Sequence, residues 1–593
     1  MGNELYQIMH HKVSEIISDV KNGRIGLPDL QRPFVWQDNK VRDLLDSMFR
    51  GFPIGYIMLW ESPEDYDHTS HIGKIDKTFN TPRDLVIDGQ QRLTALLAAF
   101  EGIEVKDKNF KLHNIKISFN PLSGDFKVWS QAYEKSVEYV SAISDVFAAD
   151  REHEVAKFRK RYIKTLNESR EKNRQPLLTD DEENTIEENI KKLLDLKDYL
   201  LPTLRIKANA GEEDVAEIFV RVNSGGQDLG EKDFIETLLA VFDNDVHEKI
   251  DMFCEASRSP NDKTAYNHII QVEPAHLIRV TVGLRFHRGR LKYAYQLLRG
   301  KDLKTGMIAD DTRDSNLKAF KQSLDVATNL NNWHAYLNLF SQAGYITGDF
   351  VTAKNGVVYC YVMYLIGKYE YKVKTTELNR IITKWIYMTT VTSFYSGSTE
   401  SEVEKMFADL RDVKTADEYV KYLDDFIKGR FTDDYFNVTL PNQLITSRTS
   451  SPAWYGYIAA INVLGFPMLF SASILSKYLV PGASGAKSAI DKHHIFPKNY
   501  LRENGYSDNR DQNQVANYTY IDYATNIAIS DKPPMEYVGE YREKMGEEEY
   551  KRTCEENALP YDFENMDYQQ FLEARRKLMA AIIRRGYERL CVL

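Results

Sequence analysis

Hydrophobic positions change period several times along the chain, and each change predicts an element. Residues 4–20 (ELYQIMHHKVSEIISDV) carry Ile8, Val13, Ile16, Ile17 and Val20 at helical spacing, which Gly23, Gly26 and Pro28 then interrupt. Asp38 is placed to cap a second helix with Leu44, Leu45, Met48 and Phe49 on one face and Gly51 as its stop. PIGYIMLWE (53–61) and DLVIDG (84–89) read as strands, the second running directly into the helix QQRLTALLAAFEG. Ile115, Ile117 and Phe119 alternate, PLSG (121–124) turns, and Phe126 and Val128 complete a hairpin. Over 150–200, 12 basic and 13 acidic residues predict a solvated helical insertion, with Thr179 and Glu182 as a capping box. LPTLRIKA is then a strand, DVAEIFVRVNSGGQDL a helix ending in a Gly-Gly turn, and 240–440 almost wholly helical. Residues 430–452, rich in Thr, Asn, Ser and Pro, predict a domain boundary. The uncharged stretch 449–476 is broken at Pro452, Gly456, Asn462, Gly465 and Pro467, which predicts two short buried helices and not a membrane span.

Length and charge narrow this picture. At roughly 100–200 residues per domain, 593 residues imply about three to five domains. Lys and Arg number 77 against 87 Asp and Glu, a formal net charge of −10, so contacts to nucleic acid must come from local patches. Cys254, Cys360, Cys554 and Cys591 are scattered without a C-x-x-C pair, which excludes a zinc ribbon, a thioredoxin-like motif and a disulfide framework. The N-terminus lacks the apolar segment of a signal peptide, and a cytoplasmic location is expected. No P-loop, dinucleotide fingerprint, H-E-x-x-H or G-x-S-x-G occurs. The nearest string to a P-loop, GASGAKS (482–488), puts Ala486 between glycine and lysine and reads as a loop.

The sharpest chemical signal is DKHHIFPKNYL (491–501), followed by ANYTYIDYATNIAISDKPP (516–534). Metal-assisted phosphodiester hydrolysis needs a hard cation to stabilise developing charge and a neutral base to activate water. Imidazole and amide oxygen can supply both. The competing reading of a bare His-His is a pair of satisfied or surface histidines. Two asparagines, 23 and 32 residues after His494, tilt the balance toward chemistry. This segment resembles the HNH nucleases of the ββα-metal group, in the branch written H-H-I-F-P followed by N-x8-N. The resemblance implies His494 as general base, His493 and Asn526 as metal ligands, Asn517 as the residue that ties the finger together and orients the base, and Asp491 as an assisting group. It implies Mg2+ or Mn2+ and no structural zinc. Regular pleating would point adjacent His493 and His494 apart, so their service in one site rests on the resemblance alone. Basic residues at 484–510 (five against three acids) and 571–593 (six against two, including Arg575, Arg576 and Lys577) offer phosphate contacts, although such faces are usually plain solvated surface.

Three shorter motifs mark the N-terminal region: LQRPFVWQ (30–37), VIDGQQRLTAL (86–96) and FVRVNSGG (219–226). In the middle one a strand ends at Asp88, Gly89 permits a close turn, and a helix begins whose N–H groups and Arg92 can hold a phosphate. The competing reading is a tight strand–helix turn in which Arg92 satisfies carbonyls. As a set the three motifs resemble the N-terminal domain of GmrSD-type modification-dependent restriction enzymes, related to the ParB/sulfiredoxin fold. That resemblance implies nucleotide binding and hydrolysis, with Asp88 catalytic, and Gln31, Arg32, Asp88, Gly89, Gln90, Gln91, Arg92, Phe219 and Asn223 around the nucleotide. GTP, UTP, CTP and ATP are not distinguished.

The expected fold class is multidomain α+β: a ParB/sulfiredoxin-like α/β domain at 1–240 with a charged helical insertion at about 130–200, a helical connector at 241–435, and a mostly helical domain with a ββα-metal (HNH) finger at 436–593. The expected function is a nucleotide-regulated, divalent-metal-dependent endonuclease of prokaryotic anti-phage defence. Its partners would be double-stranded DNA, modified phage DNA above all, and an NTP, with no membrane and with room for a homodimer. The alternative is a ParB-like nucleotide-gated DNA-binding switch whose HNH-like module does not cut.

Overall fold

The computed structural model describes residues 5–26, 36–61, 82–106, 111–210, 244–260, 264–298, 309–480 and 490–592, with a few isolated positions between them. Two compact units result, Met1–Glu255 and Ala256–Leu593.

The first unit is built on a mixed five-stranded sheet. Its strands are β1 (Tyr6–Lys12), β2 (Ile25–Gly26), β3 (Ile57–Glu61), β4 (Asp84–Asp88) and, after two short hairpins, β9 (Leu200–Ile206), in the order β1-β9-β3-β4-β2. The hairpins are β5 (Val105–Lys106) with β6 (Leu112–His113), and β7 (Ile117–Asn120) with β8 (Asp125–Val128), the latter closing through the expected turn at 121–124. Helical spacing misled over residues 6–12. Those residues pair antiparallel with β9 from Tyr6↔Ile206 to Lys12↔Leu200, and helix α1 starts only at Val13 (Val13–Lys21). A ladder to a distant strand outweighs weak local helical preference here, although β1 is an edge strand paired on one side only.

Helices α2 (Asp38–Phe49), α3 (Gln90–Glu101), α4 (Ile143–Arg151), α5 (Val155–Lys172) and α6 (Asp180–Leu194) are among those that pack in this unit. The capping box before α6 forms as expected, with Thr179 Oγ1 accepting from the Glu182 N–H at 3.2 Å. The charged insertion is not solvated on all sides, however. Ile186, Ile190 and Leu193 of α6 join the core made by Val13, Leu45, Ile57, Val86, Leu96 and Phe119. One ion network crosses the sheet: buried Arg205 on β9 donates to Asp84 on β4 at 2.6 Å and to Glu61 on β3 at 3.1 Å.

Among its described residues the second unit is helical apart from one strand pair. Helices α7 (Lys354–Tyr369) and α8 (Thr375–Val391) are buried over most of their circumference, as helices without a polar face must be. Helix α9 (Pro452–Leu464) ends at Gly465 in the left-handed conformation (φ 68). The second helix expected after it does not form. The chain instead bridges Pro467 to Ile474 and makes a single 3-10 turn at Leu475–Lys477, because Pro467 and the serines around Ile474 offer no continuous apolar face. No helix among the described residues is long and apolar enough to cross a membrane. Strands β10 (Ile490–His494) and β11 (Tyr518–Asp522) pair antiparallel and lead into the short helix α10 (Tyr523–Ile529). The terminal helix α11 (Tyr568–Val592) packs along α9 and α8, and Tyr387 donates to the Ile583 carbonyl at 2.9 Å. Residues 430–452 lie inside this unit. The molecule is thus α+β, with a small mixed sheet in its N-terminal region and a helical remainder.

Candidate functional site

In the second unit the pleat of β10 sorts the motif. Alternate residues of a strand share a face, so Asp491 and His493 lie on one side and His494 on the other. Asp522 ends β11 and caps α10, accepting from the Thr525 N–H at 2.9 Å. Helical side chains lean toward the N-terminus of their helix, and Asn526 accordingly reaches back to β10. There His493 Nδ1–H donates to Asn526 Oδ1 at 3.0 Å, and Asn526 Nδ2 donates to Asp491 Oδ2 at 3.1 Å. His493 is buried, and its Nε2 has no hydrogen-bond partner. Burial lowers its pKa, against the pull of Asn526, Asp491 and Asp531.

His494 occupies a different environment. Its Nε2–H donates to Asn513 Oδ1 at 3.0 Å, and the Tyr518 hydroxyl donates to the same oxygen at 2.9 Å. The Tyr518 ring lies 4.4 Å from the imidazole, centroid to centroid. Desolvation pushes the His494 pKa down to about 4, with Lys498 and His493 acting in the same direction and Asn513 against it. The ring is therefore neutral at pH 7, and Asn513 fixes the tautomer that leaves the Nδ1 lone pair available. Asn513 and Tyr518 were not among the residues read from the sequence. The signal was the run Gln512-Asn513-Gln514, three consecutive amides between the two motif strings, each using its side chain: Gln512 donates to the Tyr506 carbonyl at 2.7 Å and Gln514 to the Arg510 carbonyl at 3.0 Å.

Asn517 is fully buried and acts as a clasp. It accepts from the Phe496 N–H at 2.8 Å and donates to the carbonyls of Phe496 (3.0 Å) and Gln512 (3.1 Å). Tyr537 donates to the Ile495 carbonyl at 2.7 Å. From α11, Tyr568 donates to the Asp511 carbonyl at 2.8 Å and Arg575 to the Ala516 carbonyl at 2.7 Å. Arg575 corrects the basic-cluster expectation: it is fully buried, so it positions the segment under the motif and offers nothing to a phosphate.

The residues around His493 pass a test of fit to a divalent cation. One imidazole, one amide oxygen and one carboxylate suit a hard or borderline ion that keeps water ligands, not a closed thiolate or polyhistidine zinc site. These residues would hold such an ion only with the proton between His493 Nδ1 and Asn526 Oδ1 giving way to it. No group of three or more His, Cys, Asp or Glu placed to hold a metal occurs among the described residues.

In the first unit, a one-residue slip between β3 and β4 pairs Leu59 with Val86 and Met58 with Asp88, leaving Ile87 bulged. Bulges of this kind re-aim the next side chain, here Asp88 at the strand end. Gly89 takes φ 92, and a Cβ there would lie 2.4 Å from Ile57 Cδ1, so glycine is required at the turn. Helix α3 follows without a side-chain cap or an acidic residue in its first turn. Its leading N–H groups, with Gln90 and Gln91, are chemically suited to an anion. Arg92 donates to the Tyr56 carbonyl, and its guanidinium lies against Gly55. Gln90 Nε2 donates to the Val86 carbonyl at 3.4 Å. Gln31, Arg32, Phe219 and Asn223 lie outside the described residues.

Comparison with known proteins gives two findings. Residues 13–240 match the family model of the GmrSD restriction endonuclease N-terminal domain. Over 542 residues the chain is 24% identical to an uncharacterized protein of Methanocaldococcus jannaschii, covering 89% of this chain and 86% of that protein. That alignment is longer than either compact unit and so runs across both. The family match supports a GmrSD-type N-terminal domain over residues 13–240.

Proposed function

We propose that this protein is a nucleotide-regulated, divalent-metal-dependent DNA endonuclease acting on modified foreign DNA. The observation that carries the reading is the junction of β10, β11 and α10, where hydrogen bonds link His493, Asn526 and Asp491 on one side of β10 and a neutral, tautomer-fixed His494 stands on the other. His493 and Asn526 would hold Mg2+ or Mn2+, with Asp491 orienting the Asn526 amide. When bound, the cation supplies charge stabilisation to the scissile phosphate and its leaving oxygen. His494 accepts a proton from the attacking water at Nδ1, and Asn513 steadies the imidazolium through Nε2–H. Asn517 contributes by holding the strand end rigid; it has no proton to spare and no exposed atom.

In the first unit, Asp88, Gly89, Gln90, Gln91 and Arg92 would receive the phosphates of an NTP, whose binding and hydrolysis regulate cutting. The uncapped start of α3 supports this part of the reading. The Arg92–Tyr56 contact bears on it too, because a phosphate would have to compete with that carbonyl for the guanidinium.

The test is cleavage or nicking of modified and unmodified phage DNA with Mg2+, with and without each NTP, by the parent, His494→Ala and Asp88→Ala proteins. His494→Ala should lose cutting by about two orders of magnitude or more, the usual contribution of a positioned base. A His494→Ala protein that cuts like the parent overturns the site assignment. Nucleotide-dependent DNA residence without any cutting would replace this reading by the non-cleaving switch.

A further inference from the structure

Away from both candidate sites, the second unit contains a cavity of about 550 Å³. Its walls come from three places: the start of α7 (Thr352 to Asn355), the turn after α8 (Ser393 to Ser396), and the segment from Gln443 to Pro452 that leads into α9. Among the described residues no Asp or Glu lines it, although the chain as a whole is acidic. Two cations do, Lys354 and Arg448. Lys354 Nζ donates only to backbone carbonyls, those of Gly348 at 2.8 Å and Ile269 at 3.4 Å. Its pKa lies below the ordinary lysine value because desolvation outweighs the through-space attraction of Asp349. Arg448 is exposed, and its guanidinium has no ion-pair partner among the described residues.

Hydroxyl groups share the lining, among them Thr352, Thr446 and Ser450. Two charges without carboxylate partners, in a concave site rich in hydroxyls and free of acids, match a tetrahedral oxyanion. Arg can bind phosphate through two parallel N–H groups and Lys through a point charge. A carboxylate ligand would leave most of the hydroxyl donors unused, and an apolar ligand would leave both cations desolvated without compensation.

We propose that this cavity binds a phosphate group, with Lys354 and Arg448 as charge partners and the surrounding hydroxyls as donors. The phosphate belongs to a DNA backbone or to a free nucleotide, which present the same chemistry. The cavity wall is joined to the nuclease-like motif through one bond, from the Val515 N–H to the Thr446 carbonyl at 2.8 Å. Occupancy therefore bears on the segment that carries Asn513 and Asn517. The proposal does not depend on the nuclease assignment, because it is tested by binding.

The experiment uses the full chain. Affinity for a fluorescent DNA duplex is measured by anisotropy at several salt concentrations, and affinity for a nucleoside triphosphate and for inorganic phosphate by equilibrium dialysis. The proteins compared are the parent, Arg448→Glu, Arg448→Lys, the pair Lys354→Gln with Arg448→Glu, and Arg411→Glu as a charge-matched control at an exposed site outside the cavity. The expected result is at least about a tenfold loss in one arm for the double variant and for Arg448→Glu, with Arg448→Lys nearer the parent and Arg411→Glu within twofold. Loss in the duplex arm, with a salt slope shallower by about two, assigns the phosphate to DNA. Loss in the triphosphate arm assigns it to a nucleotide. If neither arm separates Arg448→Glu from Arg411→Glu, the proposal is wrong. Arg448→Glu alone, at its exposed position, decides the question should the double variant not fold.

Discussion

Replacing Asn517 by alanine tests whether the motif segment is held as the structure implies. Three buried groups lose their partners at once: the Phe496 N–H and the carbonyls of Phe496 and Gln512. A buried donor or acceptor left unsatisfied costs about 1–3 kcal/mol. An orphaned N–H sits toward the upper end, because carbonyls tolerate under-satisfaction better. Taking about 2 kcal/mol for the N–H and about 1 for each carbonyl gives a local penalty of about 4 kcal/mol. Asn499 provides the comparison. It makes the same kind of amide contact, to Asp531 at 2.9 Å, but in solvent, so Asn499→Ala should stay within about 0.5 kcal/mol. The assay is native-state hydrogen exchange on peptides spanning the β10 strand and Phe496. At 1.4 kcal/mol per factor of ten, Asn517→Ala should speed their exchange by between two and three orders of magnitude, while peptides of the first unit stay unchanged. Protection within about threefold of the parent would refute the clasp and the energy assigned to it.

Three further outcomes follow from the geometry. Gly89→Ala forces a side chain onto φ 92 and onto Ile57, which is itself fully buried, and should destabilise the first unit by about 2–3 kcal/mol in denaturant titration. Asp84→Ala leaves Arg205 buried with only Glu61 opposite, and should cost about 3 kcal/mol, near the low end for a broken buried pair; a loss below about 1 kcal/mol would show that Glu61 suffices. His494 has a folded pKa pushed from 6.5 down to about 4, so the unfolded chain binds the extra proton first. Stability in this region should hold above about pH 6.5 and fall between about pH 6.5 and 4, whereas His494→Gln should flatten that dependence in pH-resolved hydrogen exchange.

What the sequence made legible divides along physical lines. The strand–Gly89–helix junction was readable because the apolar run Leu85-Val86-Ile87 and the glycine are local signals, and the hairpin at 117–128 was readable for the same reason. The strand at Tyr6–Lys12 was not, because its partner lies almost two hundred residues away and its own spacing also suits a helix. Arg575 looked like part of a basic surface because charge is visible in a sequence and burial is not. Only the packing of α11 under the 511–516 segment turns it into a buried donor to Ala516. The asparagines at 517 and 526 stood out by their spacing from His494. Asn513 did not, since a single amide near a motif carries no chemistry until the partner that it faces is known.

The pair His493-His494 shows how far that logic extends. Two adjacent histidines in a strand are equivalent in the sequence, and pleating alone separates them without saying which does what. Their neighbours break the symmetry. His493 shares its side of β10 with Asp491 and meets Asn526, so it faces oxygen donors that could share a cation with it. His494 meets one amide oxygen and a phenol ring, and no hydrogen bond among the described residues engages its Nδ1 lone pair. A ligand and a base need different surroundings: the ligand needs other donors close by, whereas the base needs to be neutral at the working pH with its lone pair unengaged. The two environments support the proposed division of roles, and exchanging Asn513 for leucine, which removes the acceptor for Nε2–H while keeping the volume, should blur it. In that variant the His494 imidazole should populate both neutral tautomers, visible in its ring nitrogen chemical shifts, while the His493 signals stay where they are.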